Sequence, residues 1–405
     1  MDGKAIRTIS TRTLIRNNIR NYSMFIMLAL IMLVFGVLCG IKDSQNFWIN
    51  FTPRNFTNIV FQYSYVLILA VGMVQCIIIL GIDLSVGSVC AFIGIISATI
   101  YNTNIGMPMT LLISIVMGLG IGAFQGLWIA YAKLPAFIVT LAGMLLFRGL
   151  TYLVSGVTPV SLKDTGYSLL ATGTVDEMLG VGKIWNMYPV AIIAAIVLLL
   201  VFYAAEIAGR QAKIANDFEV SPRVLFAGKL IFISLLVLAL AERFARYRGL
   251  PVVVVVLGTT VFIFHFILNN TVLGRFIYAV GGNSRSAKLS GINSEFITFI
   301  VFCIMGILAG LASVISTGYM NSALPSAGNL FEMDAIAACY IGGVSAAGGI
   351  GTVIGVIVGG LVMSAINNGM LLMSLGQDWQ YIVKAAILLL AVFYDVYTRR
   401  KAGLG

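Results

Sequence analysis

Few side chains in this 405-residue chain have the type and spacing for covalent chemistry. The single histidine, His265, sits in Phe262-Ile-Phe-His-Phe-Ile267, where packing or an interface suits it better than a proton relay. There is no His-Glu-x-x-His pair to bind zinc and no Gly-x-Ser-x-Gly turn to expose a nucleophile. Gly182-Lys183 lacks the upstream glycine and the following hydroxyl of a phosphate-cradling P-loop, so the chain has no ATP site of that kind. Cys39, Cys76, Cys90, Cys303 and Cys339 lie in apolar runs without metal-ligand spacing, which implies neither a metal site nor a disulfide framework. The inventory points to binding and passage rather than bond making.

Asp83 is the acid in the most unusual setting. It lies in Gly81-Ile-Asp-Leu-Ser-Val-Gly-Ser88, with apolar sequence running in from both sides. A charge at bilayer depth costs roughly 2.5–3.5 kcal/mol on insertion scales unless it faces protein, water or the interface. The flanking glycines and serines suit a broken helix, which membranes tolerate only against protein or a cavity. Asp83 therefore marks a passageway or caps a helix inside a bundle. Its place near the inner end of its span favours a cap on the helix starting at Ser85–Ser88, with gating second.

The elements that must hold such residues are membrane helices. Sixty per cent of the residues are hydrophobic and 10% charged, against about 25% charged in soluble domains. The 43 glycines suit close helix packing in lipid. The pattern predicts an all-α, polytopic helix bundle of 10–12 transmembrane helices, with no separate soluble domain. Twelve apolar spans fall at roughly 24–41, 59–80, 87–101, 107–131, 135–154, 187–208, 224–241, 250–269, 296–319, 333–350, 352–375 and 379–397. A basic segment, 1–23, precedes them, and the membrane domain runs over 24–398. Lys4, Arg7, Arg12, Arg16 and Arg20 at one end and Arg399-Arg400-Lys401 at the other place both termini in the cytoplasm. Residues 155–186 are then the largest outside loop. Arg243, Arg246 and Arg248 oppose the rule locally; if 224–241 and 250–269 form a hairpin that does not cross, ten spans remain. The net charge of +10 is explained by inside loops and anionic lipid, without nucleic acid.

Two further patterns stand out. Gly342-Gly-Val-Ser-Ala-Ala-Gly-Gly349 faintly echoes the segment around Asp83, as duplicated halves would. In the loop 271–295, Asn283 or Ser284 is placed to cap a short helix from Arg285 to Leu289, and Gly291 to end it. That helix would show Ala287, Leu289, Arg285 and Lys288 on the cytoplasmic side. On local sequence it is either an ordinary positive-inside loop or a helix that docks in a partner's groove.

Gly281-Gly-Asn-Ser-Arg-Ser-Ala-Lys-Leu-Ser-Gly-Ile292 resembles the coupling loop of bacterial sugar ABC-importer permeases, the family of the ribose, galactose and xylose permeases. Four more ordered segments resemble it: the Gly81–Ser88 run; Phe137-Ile-Val-Thr-Leu-Ala-Gly-Met144 with Phe147-Arg-Gly149; Asp334-Ala-Ile-Ala-Ala-Cys-Tyr-Ile-Gly-Gly343; and Asn367-Asn-Gly369 with Trp379-Gln380 and Val383-Lys384. Extra helices at about 185–250 resemble the xylose or multiple-sugar type. Ser284, Ser286 and Tyr340 depart from the family's usual residues.

The resemblance implies an ABC importer permease fold and a non-enzymatic role: a homodimer in the bacterial plasma membrane, passing a monosaccharide such as xylose or galactose. An external sugar-binding protein would deliver the cargo, and a cytoplasmic ATPase would carry ATP and Mg. Arg285, Lys288, Leu289 and Gly291 would serve ATPase coupling. Asp83, Ser85, Gln125, Asn367 and Asn368 are candidates for the path or its gate. Each neutral one among them is equally suited to helix-to-helix hydrogen bonding, worth about 0.6 kcal/mol. Arg148 and Lys384, the other in-span charges, are placed to snorkel outward rather than meet sugar. The dimer is expected to meet along Gly118–Gly126 and Gly348–Gly360. Other cargo, a furanose signal or a nucleoside, and a proton-coupled symporter are the alternatives.

Overall fold

The computed structural model describes residues 11–42, 49–216 and 218–401. Its long helices are α1 (Thr11–Lys42), α2 (Pro53–Ile78), α3 (Val86–Asn102), α4 (Met107–Ala130) and α5 (Ala136–Ser155). After the short α6 (Leu169–Thr172) and α7 (Val175–Met178) come α8 (Pro189–Ala215), α9 (Arg223–Tyr247) and α10 (Val252–Asn270). Then follow α11 (Val272–Gly282), α12 (Ser284–Leu289), α13 (Ser294–Met320), α14 (Phe331–Ile341), α15 (Val353–Leu372) and α16 (Gln377–Lys401). Two short strands, β1 (Val160–Ser161) and β2 (Ser322–Ala323), pair antiparallel with Val160 opposite Ala323.

The chain is an all-α, multi-pass membrane protein. Eight helices among the described residues are long and apolar enough to cross a bilayer: α2, α4, α5, α8, α9, α10, α13 and α15. Ile26–Ile41 and α3 are shorter apolar helices. The span expected at 333–350 is corrected, because its helix stops at Ile341. Gly343, Gly348 and Gly349 then take φ of 83°, 78° and 71°, a left-handed backbone that glycine adopts freely. Hydropathy saw one apolar run where the chain turns back on itself. The basic N-terminal segment is already helical from Thr11, while Lys4 and Arg7 lie outside the described residues.

Two compact units emerge. One is built on Thr174–Pro251, with Phe51–Thr57 and the N-terminal part of α1. In it α8 and α9 form an antiparallel hairpin, with Lys229 on Glu206 at 2.6 Å. The buried Asp176 carboxylate accepts from Val190 N (3.2 Å) and Leu250 N (2.8 Å), tying the start of this unit to its end.

The other unit holds the remaining helices around α2, which is buried almost throughout. Its most extensive helix pair is α4 with α13. Gly118 and Gly122 on α4 face Gly306 and Gly310 on α13 so closely that an added Cβ would overlap the opposite backbone. Small residues one turn apart are how membrane helices approach this far. Gly355 and Gly359 on α15 are pressed in the same way against Gly342 and the end of α14. These glycine faces are therefore filled within the chain, whereas Gly120 on α4 has nothing within 4 Å of an added Cβ. At the far end of α3, Tyr101 donates to Asp164 (2.6 Å) and Gly166 N to the same carboxylate (2.8 Å), together holding Asp164 below the usual carboxylate range.

Candidate functional site

The first break lies between α2 and α3. After Ile78 the backbone leaves the helix, with Leu80 at φ 63° and Gly81 N bonded to Cys76 O at 2.8 Å. Asp83 Oδ1 accepts from Ser85 N (2.8 Å) and Ser85 Oγ (2.6 Å). Ser85 Oγ in turn accepts from Gln125 Nε2 at 2.7 Å. Asp83, Ser85 and Gln125 are all buried, so this chain of bonds ties the break to α4. From α5, Thr140 Oγ1 donates to Ile82 O at 3.0 Å. An alanine at Gly143 would bring its Cβ against Gln125 Nε2 and push aside the amide that bonds Ser85. Asp83 thus closes a local turn onto Ser85, the residue ahead of α3. Local side-chain bonds of this kind satisfy backbone donors that a broken helix leaves open. Thr140 and Gly143 were not singled out from sequence; their neighbours are 58 and 18 residues away, beyond any local pattern.

The second break, between α14 and α15, meets the first. Gly349 N donates to Ile78 O at 2.9 Å. Gly281, at the end of α11, is pressed against the same Ile78 carbonyl and against Gly349 N, leaving no room for a Cβ. Tyr278 Oη donates to Gly351 O at 2.6 Å. Both glycine-rich segments that echo each other in sequence are therefore helix breaks, and α11 meets the second of them and the end of α2 just ahead of the first.

The α12 helix follows directly. Asn283 Oδ1 accepts from Ser286 N at 2.9 Å, which makes it the cap, and Gly291 at φ 86° turns the chain away. Lys288 pairs with Glu295 at the start of α13. Leu289 is 85% exposed. Arg285 is also exposed. Ala287 is buried, which corrects its expected place on the outward face: a six-residue helix shows only one side, and Ala287 turns toward the bundle.

Arg148 and Lys384 do not snorkel, which corrects that expectation. Arg148 Nη1 donates to Pro325 O (2.9 Å) and Ala327 O (2.7 Å), pinning the segment between β2 and α14. Lys384 Nζ donates to Asp334 Oδ2 at 2.8 Å. Asn367 adjoins the same carboxyl from α15, and Asn368 beside it is buried. Asp334 was read only as part of a motif. The signal that marks it is an acid and a lysine in two separate apolar runs, each in need of an opposite charge. The structure thus gathers Asp83, Ser85 and Gln125 at one break, sets Asn367 beside Asp334 with the buried Asn368 next to it in sequence, and places Arg285, Lys288, Leu289 and Gly291 on or next to α12. His265 stays local, its ring bonded to Asn269 one turn along α10 at 3.0 Å.

Relatives of known name share this sequence over nearly its full length. The xylose transport system permease protein XylH of Escherichia coli is 37% identical over 391 residues, 94% of each chain. The protein of that name from Haemophilus influenzae is 37% identical over 386 residues, 95% of this chain and 98% of its own. The ribose import permease protein RbsC of Escherichia coli is 33% identical over 352 residues, 87% and 88% of the two chains. No solved structure matches. The broken helices, the capped α12 and most of the helices around them fall within residues 55–392, which match the model of the branched-chain amino acid transport system permease component, and the chain belongs to that family of transport permeases.

Proposed function

We propose that this chain is the membrane-spanning permease of an ATP-driven monosaccharide importer, of the kind that carries xylose. The observation that carries the reading is the 391-residue likeness to a xylose permease, too long to omit the Thr174–Pro251 unit. In this reading ATP and Mg belong to a cytoplasmic ATPase, which receives α12. A sugar-binding protein delivers cargo from outside. The permease works as a homodimer in the bacterial inner membrane, and both its termini are cytoplasmic. Asp83, Ser85, Gln125, Asn367 and Asn368 lie along the path or at its gate. Neutral cargo needs hydroxyl and amide partners more than fixed charge, and the path must bind weakly enough to release it.

Purified permease is to be reconstituted in liposomes with its ATPase and binding protein. Xylose uptake should require ATP and both partners. Uptake driven by a pH gradient without the ATPase would instead establish a symporter. Orientation has its own test. Asp164 and Asp176 are tied into hydrogen bonds, so Trp185, 96% exposed, is the better labelling position. A Trp185→Cys variant in a background without the five native cysteines should react with an impermeant thiol reagent on intact cells. Reaction only after permeabilisation would invert the topology.

A further inference from the structure

Between α14, α15 and α16 lies a buried polar cluster whose hydrogen bonding is incomplete. Lys384 occupies Asp334 Oδ2 at 2.8 Å, and the two side chains are only 15% and 7% exposed. Asp334 Oδ1 has no hydrogen-bond partner among the described residues. The Asn367 amide, 2% exposed, lies close enough to that carboxyl to favour its charged form, yet neither its nitrogen nor its oxygen makes a hydrogen bond of good geometry among the described residues. Buried side-chain polar atoms nearly always find a partner, so an open set of this size asks what closes it. The open atoms are a carboxylate acceptor, an amide donor and an amide acceptor. Neighbouring hydroxyls of a sugar match that set, donating a hydrogen bond to Asp334 and exchanging hydrogen bonds with Asn367.

The surroundings suit such a solute. Tyr63 and Tyr65 lie within electrostatic reach of Asp334, and the Tyr65 ring packs 4.6 Å from that of Phe331. About one helical turn along α16 from Lys384, Tyr381 accepts from Asn329 at 3.0 Å, with both residues exposed. Lys384 is thus about one turn along α16 from an exposed polar pair.

We propose that Asp334 and Asn367 form a hydroxyl-recognition pair that contacts the sugar in transit, with Lys384 as the positioning residue that aims the carboxylate. The proposal rests on the monosaccharide reading above and adds to it a place where the permease itself reads cargo.

The experiment compares uptake of xylose and its single-deoxy analogues by the full complex in liposomes, with the same binding protein throughout. Two permease variants are used: Asn367→Ala, which alters no charge, and Asp334→Asn combined with Lys384→Met, which leaves no lone charge buried. Both should import xylose about tenfold more slowly, the scale of one lost hydrogen bond to a charged or buried partner. Both variants should still copurify with the ATPase and the loaded binding protein. For the analogue lacking the recognised hydroxyl, the difference between variant and unaltered protein should disappear. Slower variants that discriminate among the analogues as the unaltered protein does would show that the pair only holds helices together. If the double variant does not fold, Asn367→Ala alone decides. An unaltered complex that hydrolyses ATP yet imports no monosaccharide would overturn the transport reading itself, and this pair with it.

Discussion

A Gly306→Ala variant should fail to accumulate as folded protein, while Gly120→Ala should be at least as stable as the original. The two substitutions add the same methyl group to long membrane helices. At Gly306 the new carbon would overlap the Gly118 carbonyl oxygen and the Gly122 backbone. Backbone cannot swing aside as a flexible side chain can, so α4 and α13 must separate along their whole contact. Overpacking typically costs about 1–3 kcal/mol and more where nothing can yield, against a total stability of about 5–15 kcal/mol for a typical protein. At Gly120 nothing lies within 4 Å of the added carbon, and helix propensity favours alanine by about 1 kcal/mol. Size-exclusion profiles and thermal unfolding in detergent separate the outcomes. Equal stability of both variants would mean that α4 and α13 do not approach as described.

Leu289→Asp should uncouple the ATPase from a fully folded permease. Leu289 is 85% exposed on a helix that Asn283 caps and Gly291 ends, so its replacement disturbs no internal packing. Its effect must appear in whatever covers it. A large apolar anchor at an interface contributes about 2 kcal/mol or more, and burying an unpaired carboxylate in its place adds to the loss. ATPase retention on the immobilised permease should fall by roughly thirtyfold or more, the equivalent of about 2 kcal/mol, and xylose uptake should stop. Thermal stability of the permease alone should stay within about 0.5 kcal/mol of the original. Normal retention and uptake would remove α12 from the coupling role. Loss of stability without the partner would show Leu289 to be packed within the chain.

The parts of this molecule that depend on near neighbours were legible in its sequence. The cap at Asn283, the turn at Gly291 and the α12 helix between them are set by residues within one turn of each other. The Asp83–Ser85 turn is likewise local. The early end of α14 was not legible, because apolar content continues through Gly342–Ile350 and hydropathy carries no record of a left-handed backbone. The partners of Arg148 and Lys384 were hidden for another reason. Both are distant in sequence, with Pro325, in the segment before α14, 177 residues from Arg148 and Asp334, in α14, 50 residues from Lys384. Snorkelling is the default for a charge whose partner is unseen. The glycines of α4 announced close packing, but a single helix cannot say whether its neighbour is its own chain or another copy.

The meeting of Ile78, Gly281 and Gly349 has a mechanical consequence. One carbonyl oxygen is bonded by the amide of one break and pressed by the helix that leads into α12. A methyl group introduced at Gly281 would meet the Ile78 carbonyl and the Gly349 amide together, so one substitution on α11 would wedge both interrupted helices at once.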